Sequence, residues 1–137
     1  MMMDELRDRI KTFLDQHPLG ILTTSGTSGA WAAPAWQFRQ DLVLICLLPR
    51  WADALYYIEQ DPQVLFVILD TPSDKLRWLH YRGAARRIEA PDWKRLLPEG
   101  RKPVRLDDEY AAIHITPLRV DLIDECRGWG ARDTLEF

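Results

Sequence analysis

The stretch Leu42-Val43-Leu44-Ile45-Cys46-Leu47-Leu48 decides the fold. It has the length of a strand and no polar residue to turn toward water, so it reads as a strand buried on both faces. Pro49 closes it. Just before it, Arg39-Gln40-Asp41 makes a turn, and residues 30–38 form the preceding strand, with bulky Trp31, Trp36 and Phe38. Ser25-Gly26-Thr27-Ser28-Gly29 is a turn-forming cluster that joins this strand to the short apolar run at residues 19–24, which predicts a hairpin. The glycines of that cluster resemble a phosphate loop, but no helix N-terminus follows them, and a plain hairpin turn explains them better.

On the N-terminal side, Leu6, Ile10, Phe13 and Leu14 recur at helical spacing, Asp4 is placed as an N-cap and Pro18 ends the run. Residues 4–16 therefore read as one amphipathic helix. Downstream, residues 51–60 read as a short helix burying Leu55 and Ile58 and stopped by Asp61-Pro62. Residues 64–69 resume strand, Thr71-Pro72-Ser73-Asp74 turns, and residues 76–88 make one long strand with Gly83 as a bulge or close-approach point. A short helix at 91–97, a charged loop at 98–106, and strands at 111–116 and 118–124 broken at Pro117 complete the pattern. A sheet with runs as apolar as 42–48 leaves sticky edges unless it closes, so the expected architecture is mainly β with short helices, a barrel of six or seven strands. Residues 1–137 contain no repeat or linker and read as one domain, with residues 125–137 as a C-terminal extension.

Composition narrows the function. A chain of 137 residues with 47% hydrophobic and 28% charged residues supports one core without metal or disulfide staples. Its net charge of −3 argues against a nucleic-acid partner. No run is long and apolar enough for a membrane span, and residues 1–11 mix acids and bases instead of forming a signal peptide, so a cytoplasmic protein with no membrane partner is expected. Cys46 and Cys126 lie far from any ligand set, which argues against structural zinc. His17 precedes a proline at a helix end, His80 and His114 sit in strands with no neighbouring carboxylate in sequence, and all three read as structural or surface residues.

No GxSxG, HExxH, GxxxxGKS or helix-opening GxGxxG is present, so self-contained hydrolysis is not expected. The unusual feature is six tryptophans, several beside arginines, as in Arg50-Trp51, Arg77-Trp78 and Arg127-Gly128-Trp129. An indole offers a stacking face and a guanidinium a charged fork, a pairing suited to a flat anionic ligand. The same residues also suit a core or a dimer interface, with the arginine stem laid along the ring.

In their order, these segments resemble the pyridoxamine 5'-phosphate oxidase-like FMN-binding split barrels. The resemblance runs from Phe13 to about Ile123. It rests on Gly20-Ile21-Leu22-Thr23-Thr24, Pro34-Ala35-Trp36-Gln37-Phe38, the 42–48 strand, the helix ending at Asp61-Pro62, the strand at 64–69, the 78–84 segment with Gly83-Ala84, and Ile113-His114-Ile115-Thr116-Pro117-Leu118-Arg119-Val120.

The resemblance implies a homodimer with two flavins in clefts between subunits, acting as a flavin-dependent oxidoreductase on a small molecule. It implies that the flavin ring lies along residues 34–38, touching Pro34, Ala35, Trp36 and Gln37 largely through backbone, with Trp78 lining the same pocket. No side chain need act as an acid or base, because the redox chemistry belongs to the cofactor. Where the family often carries an Arg-Lys pair for the phosphate, this chain has Asp53 and Ala54, and a carboxylate there repels phosphate. Leu48 stands where a hydroxyl often touches phosphate, which leaves Arg50, next to Trp51, as the substitute base. The alternatives are a non-catalytic dimer holding another planar anion, such as haem or a deazaflavin, and an empty structural barrel. In the tail, two glycines around Trp129 suggest backbone held close to something flat, such as the partner's cleft; a segment packed across the dimer fits equally.

Overall fold

The computed structural model describes residues 2–26, 29–97 and 106–137. In chain order the elements are α1 (Met2–Gln16), β1 (Leu19–Gly26), β2 (Gly29–Gln40), β3 (Val43–Pro49), α2 (Ala54–Gln60), β4 (Gln63–Asp70), β5 (Arg77–Arg87), α3 (Trp93–Leu96), α4 (Leu106–Glu109), β6 (Tyr110–Asp124) and β7 (Arg132–Glu136). All pairings are antiparallel. β3-β2-β1-β4-β5-β6 closes through a β3–β6 ladder into a six-stranded barrel, and β7 adds to β6 outside that ring.

The apolar run that predicted closure behaves as expected, since Leu44 through Leu48 are all fully buried. Leu44, Cys46 and Leu48 join the barrel core. On the other face, Leu47 packs with Phe38, Leu97 and Ala112 beneath Ile88, Trp93, Leu96 and Tyr110. The segment carrying α3 is thus the second cover that a strand without a polar face requires.

Two expectations are corrected. Helix α1 starts at Met2, so Asp4 lies in its first turn and not at an N-cap. The strands expected at 111–116 and 118–124 are one strand of 15 residues. Pro117 does not break it because β3 pairing ends at Ile115 and β7 pairing begins at Arg119, so neither ladder uses a Pro117 N–H. On its other flank the register slips between Arg82 and Gly83, leaving Leu118 unpaired. A Cβ on Gly83 would lie 2.6 Å from the Thr116 carbonyl oxygen, which explains the glycine by close approach as well as by the bulge. Within the C-terminal extension, residues 132–136 form a seventh strand on the chain's own β6, with Leu135 buried. The 98–105 part of the expected charged loop lies outside the described residues.

Helix α1 buries Leu6, Ile10, Phe13 and Leu14, one stripe at helical spacing. The Gln37 side chain holds its end, donating to the carbonyls of Leu14 (2.7 Å) and His17 (3.0 Å). Helix α2 sends Ala54, Leu55 and Ile58 into the barrel core. Among the described residues no helix is long and apolar enough to cross a membrane.

Candidate functional site

The closure of the barrel leaves an opening. β3 pairs with β2 only over Trp36–Gln40 and with β6 along its other flank as far as Pro49, while β2 runs on to Gly29 with β1 on one flank and no described strand on the other. Along an antiparallel strand alternate residues direct their N–H and C=O groups to opposite flanks, so part of the 29–35 backbone faces outward with donors and acceptors at fixed spacing. At the far end of this edge, Trp31 stacks on Tyr57 of α2, with ring centroids 5.3 Å apart and planes 14° apart. A flat aromatic face beside an open backbone edge can hold a planar heterocycle through its ring and its polar rim.

The expected ligand residues divide between two faces. Pro34 and Trp36 are exposed on the outside of the sheet, whereas Ala35 is buried inside the barrel and Gln37 is engaged with α1. Leu48 is fully buried in the core. Arg50 donates its backbone N–H to the Glu109 carbonyl (2.8 Å) and lines a cavity of about 190 Å³ with Arg87 and Glu89. Trp51 is 81% exposed. Trp78 stands half-buried on β5, edge-on to His80. Trp36 pairs with Leu19 and Trp78 with Leu69, so β1 and β4 lie between the two indoles, about 14 Å at strand spacing. Within this chain the two indoles stand apart.

Nor do the sequence-adjacent arginine and tryptophan pairs form clamps. Neighbours on a strand point to opposite faces, and Arg77 turns away from Trp78 to donate to Asp70 (2.6 Å) beside the ring of Phe13. That bond is the main reason the Asp70 carboxyl sits below its ordinary range. Arg127 pairs with Asp133 (3.7 Å), while Trp129 is 93% exposed on a turn with Gly128 and Gly130 at positive φ. Trp31 and Tyr57 were missed as a site because their meeting depends on where α2 docks. The only hint was a tryptophan on a strand otherwise lined inward by Ala33 and Ala35.

The fit to FMN is split. The open edge and the aromatic pair suit its ring. Asp53 is exposed and Ala54 is buried beneath α2, so neither offers the phosphate a positive charge. A lysine at position 54 would have to displace core packing, which makes the substitution of the family's basic pair a structural difference as well as an electrostatic one.

No family model and no curated protein matches the sequence. Solved structures do. A protein from Clostridium acetobutylicum related to general stress protein 26, of the pyridoxinephosphate oxidase family, superposes with a TM-score of 0.77 at 12% identity, covering 97% of this chain and 95% of that one. The chain has the fold of the pyridoxamine 5'-phosphate oxidase-like split barrels. General stress protein 26 from Bacillus anthracis shares the split barrel at a TM-score of 0.68 and 20% identity, covering 96% of this chain and 98% of that one. A haem-binding protein from Mycobacterium smegmatis shares it at 0.73 and 17% identity, covering 95% of this chain and 57% of that longer one.

Proposed function

We propose that this split barrel binds FMN or a close relative and works as a flavin-dependent oxidoreductase, in the cytoplasm and as a dimer. The open edge of β2 over residues 29–35, ending at the Trp31–Tyr57 stack, carries the reading. A bound flavin supplies two-electron redox chemistry on its ring. The chain's part is to fix that ring by backbone groups and to leave one ring face to a small-molecule substrate. Arg50 is the base we assign to the phosphate, in place of the pair absent at Asp53 and Ala54.

The dimer rests on the outer face of the same sheet. Trp36, Leu19 and Ile21 are all exposed there, with Pro34 opposite Ile21, and exposed Leu69 lies on the adjoining β4. A contiguous apolar face of this kind is rarely left to solvent. Sedimentation equilibrium should give twice the 16.0 kDa chain mass, and Leu19→Asp with Leu69→Asp should return it to one.

The haem-binding neighbour supports a second reading, in which the same cleft takes a planar tetrapyrrole. The deciding measurement is an absorption spectrum of the purified protein followed by titration with FMN and, separately, with hemin. Flavin bands, or saturable tryptophan quenching by FMN at low micromolar concentration, support the first reading. A blank with FMN and a saturable Soret shift with hemin overturns it for the second, and a blank with both leaves a structural barrel.

A further inference from the structure

A like-charge pair stands on the outer face of the barrel. The β5–β6 register puts Arg82 directly opposite Arg119. Like charges facing each other across a ladder destabilise it unless counter-charges are near. Arg119 has them, with Nε 3.1 Å from Asp121 Oδ2 and Nη1 3.6 Å from Glu136 Oε1. Arg82 is exposed, and among the described residues its guanidinium makes no hydrogen bond or ion pair.

Both arginines line a cavity of about 480 Å³, within the size range of small-molecule sites, that also takes in Thr23, Thr24, Ser25 and Gln63. The slipped register between Arg82 and Gly83 lies in its wall, and bulges of this kind commonly re-aim side chains beside binding sites. Its described lining contains no carboxylate. The cavities at Arg77, at Arg9 with Arg127, and at Arg50 each include an aspartate or a glutamate. Ser25 stands exposed on the same outer face as Arg82 and adds a hydroxyl to the lining. Thr23 already donates to the Leu65 carbonyl (3.0 Å), and Thr24 turns its buried side chain to the inner face of β1.

We propose that this cavity is a binding site for a small organic oxyanion, a phosphate or carboxylate group, with Arg82 as its principal ligand and Ser25 as a hydroxyl partner. The site lies over β1, β4, β5 and β6, reaches β2 at Ala30, and needs no flavin. Arg82 suits the role because its planar fork makes paired charge-assisted bonds to such groups, with no intramolecular partner to displace.

The test is a titration of the flavin-free protein, at fixed ionic strength, with phenyl phosphate, benzoate and inorganic phosphate, followed by amide chemical shifts. Saturable shifts are expected at Ser25, Arg82, Gly83 and Arg119. Arg82→Gln should weaken binding at least about tenfold, as expected for loss of a charge-assisted pair, and Ser25→Ala should weaken it less. Lys75→Gln, an equal charge change at another exposed position, should leave it unaltered. Tighter binding of phenyl phosphate or benzoate than of inorganic phosphate supports a ligand-borne oxyanion. Inorganic phosphate binding as tightly as either overturns the organic ligand. The site itself is overturned if no shift saturates, or if Lys75→Gln and Arg82→Gln weaken binding equally, since the cavity would then be answering to net charge alone.

Discussion

The indole of Trp31 lies parallel to the ring of Tyr57, centroids 5.3 Å apart, and so ties the free end of β2 to the helix that plugs the barrel. Tyr56 meets Tyr57 edge-on at 5.2 Å, extending the aromatic surface across α2. If the flavin lies along the open edge, its ring must meet this surface. Trp31→Ala should weaken FMN binding about 3- to 10-fold, the range expected for one aromatic contact, and remove much of the fluorescence quenching. Native affinity in that variant would put the ligand elsewhere.

Gln37 was expected to touch the cofactor, yet its amide is spent on the last carbonyls of α1, at Leu14 and His17. Helix ends leave such carbonyls without intrahelical partners, and this end is buried against β2. Gln37→Ala should therefore cost about 1–3 kcal/mol of stability, the usual penalty for leaving a buried acceptor unsatisfied. Urea unfolding with and without FMN separates the roles. A drop in the midpoint with native FMN affinity is the expected pair of results.

How much of this was legible depended on how local each cause was. The two-sided burial of residues 42–48, the glycine at 83 and the stop at Pro62 are written in single residues or short runs, and the barrel followed from them. Pro117 misled because its tolerance comes from which strands lie beside it, a property of β3 and β7 and not of β6. The site was less legible for the same reason. Arg77-Trp78 looks like a clamp as a dipeptide, but alternation along β5 separates its side chains. Trp31 and Tyr57 are 26 positions apart and look unrelated until α2 docks.

Ala54 is the position where a lysine would most simply restore a phosphate contact, and its burial argues the opposite outcome. Its side chain is 2% exposed and packed in the barrel core with Leu55 and Ile58. Ala54→Lys should destabilise the fold by about 1–3 kcal/mol through overpacking and give no gain in FMN affinity. Arg50→Ala should weaken FMN binding. Tighter FMN binding by Ala54→Lys would show that the start of α2 turns toward the ligand after all.

Two half-buried histidines give the fold a pH dependence of known sign. Burial pushes His80 below its ordinary value of 6.5, opposed by Asp121 and reinforced by Arg132 and Arg82. Burial lowers His114 as well, reinforced by Arg86. Below pH 6.5 the unfolded chain takes up protons at these positions that the folded chain still refuses, so stability rises with pH across that window and is lost as the pH falls through it. The depressed carboxyls of Asp70 and Asp121 act at lower pH, below 3.8, and do not overlap. Lowering the pH from about 7 to about 5.5 should therefore reduce the urea midpoint, and His80→Gln with His114→Gln should flatten that slope. A slope that persists in the double variant would show that these two histidines are not its source.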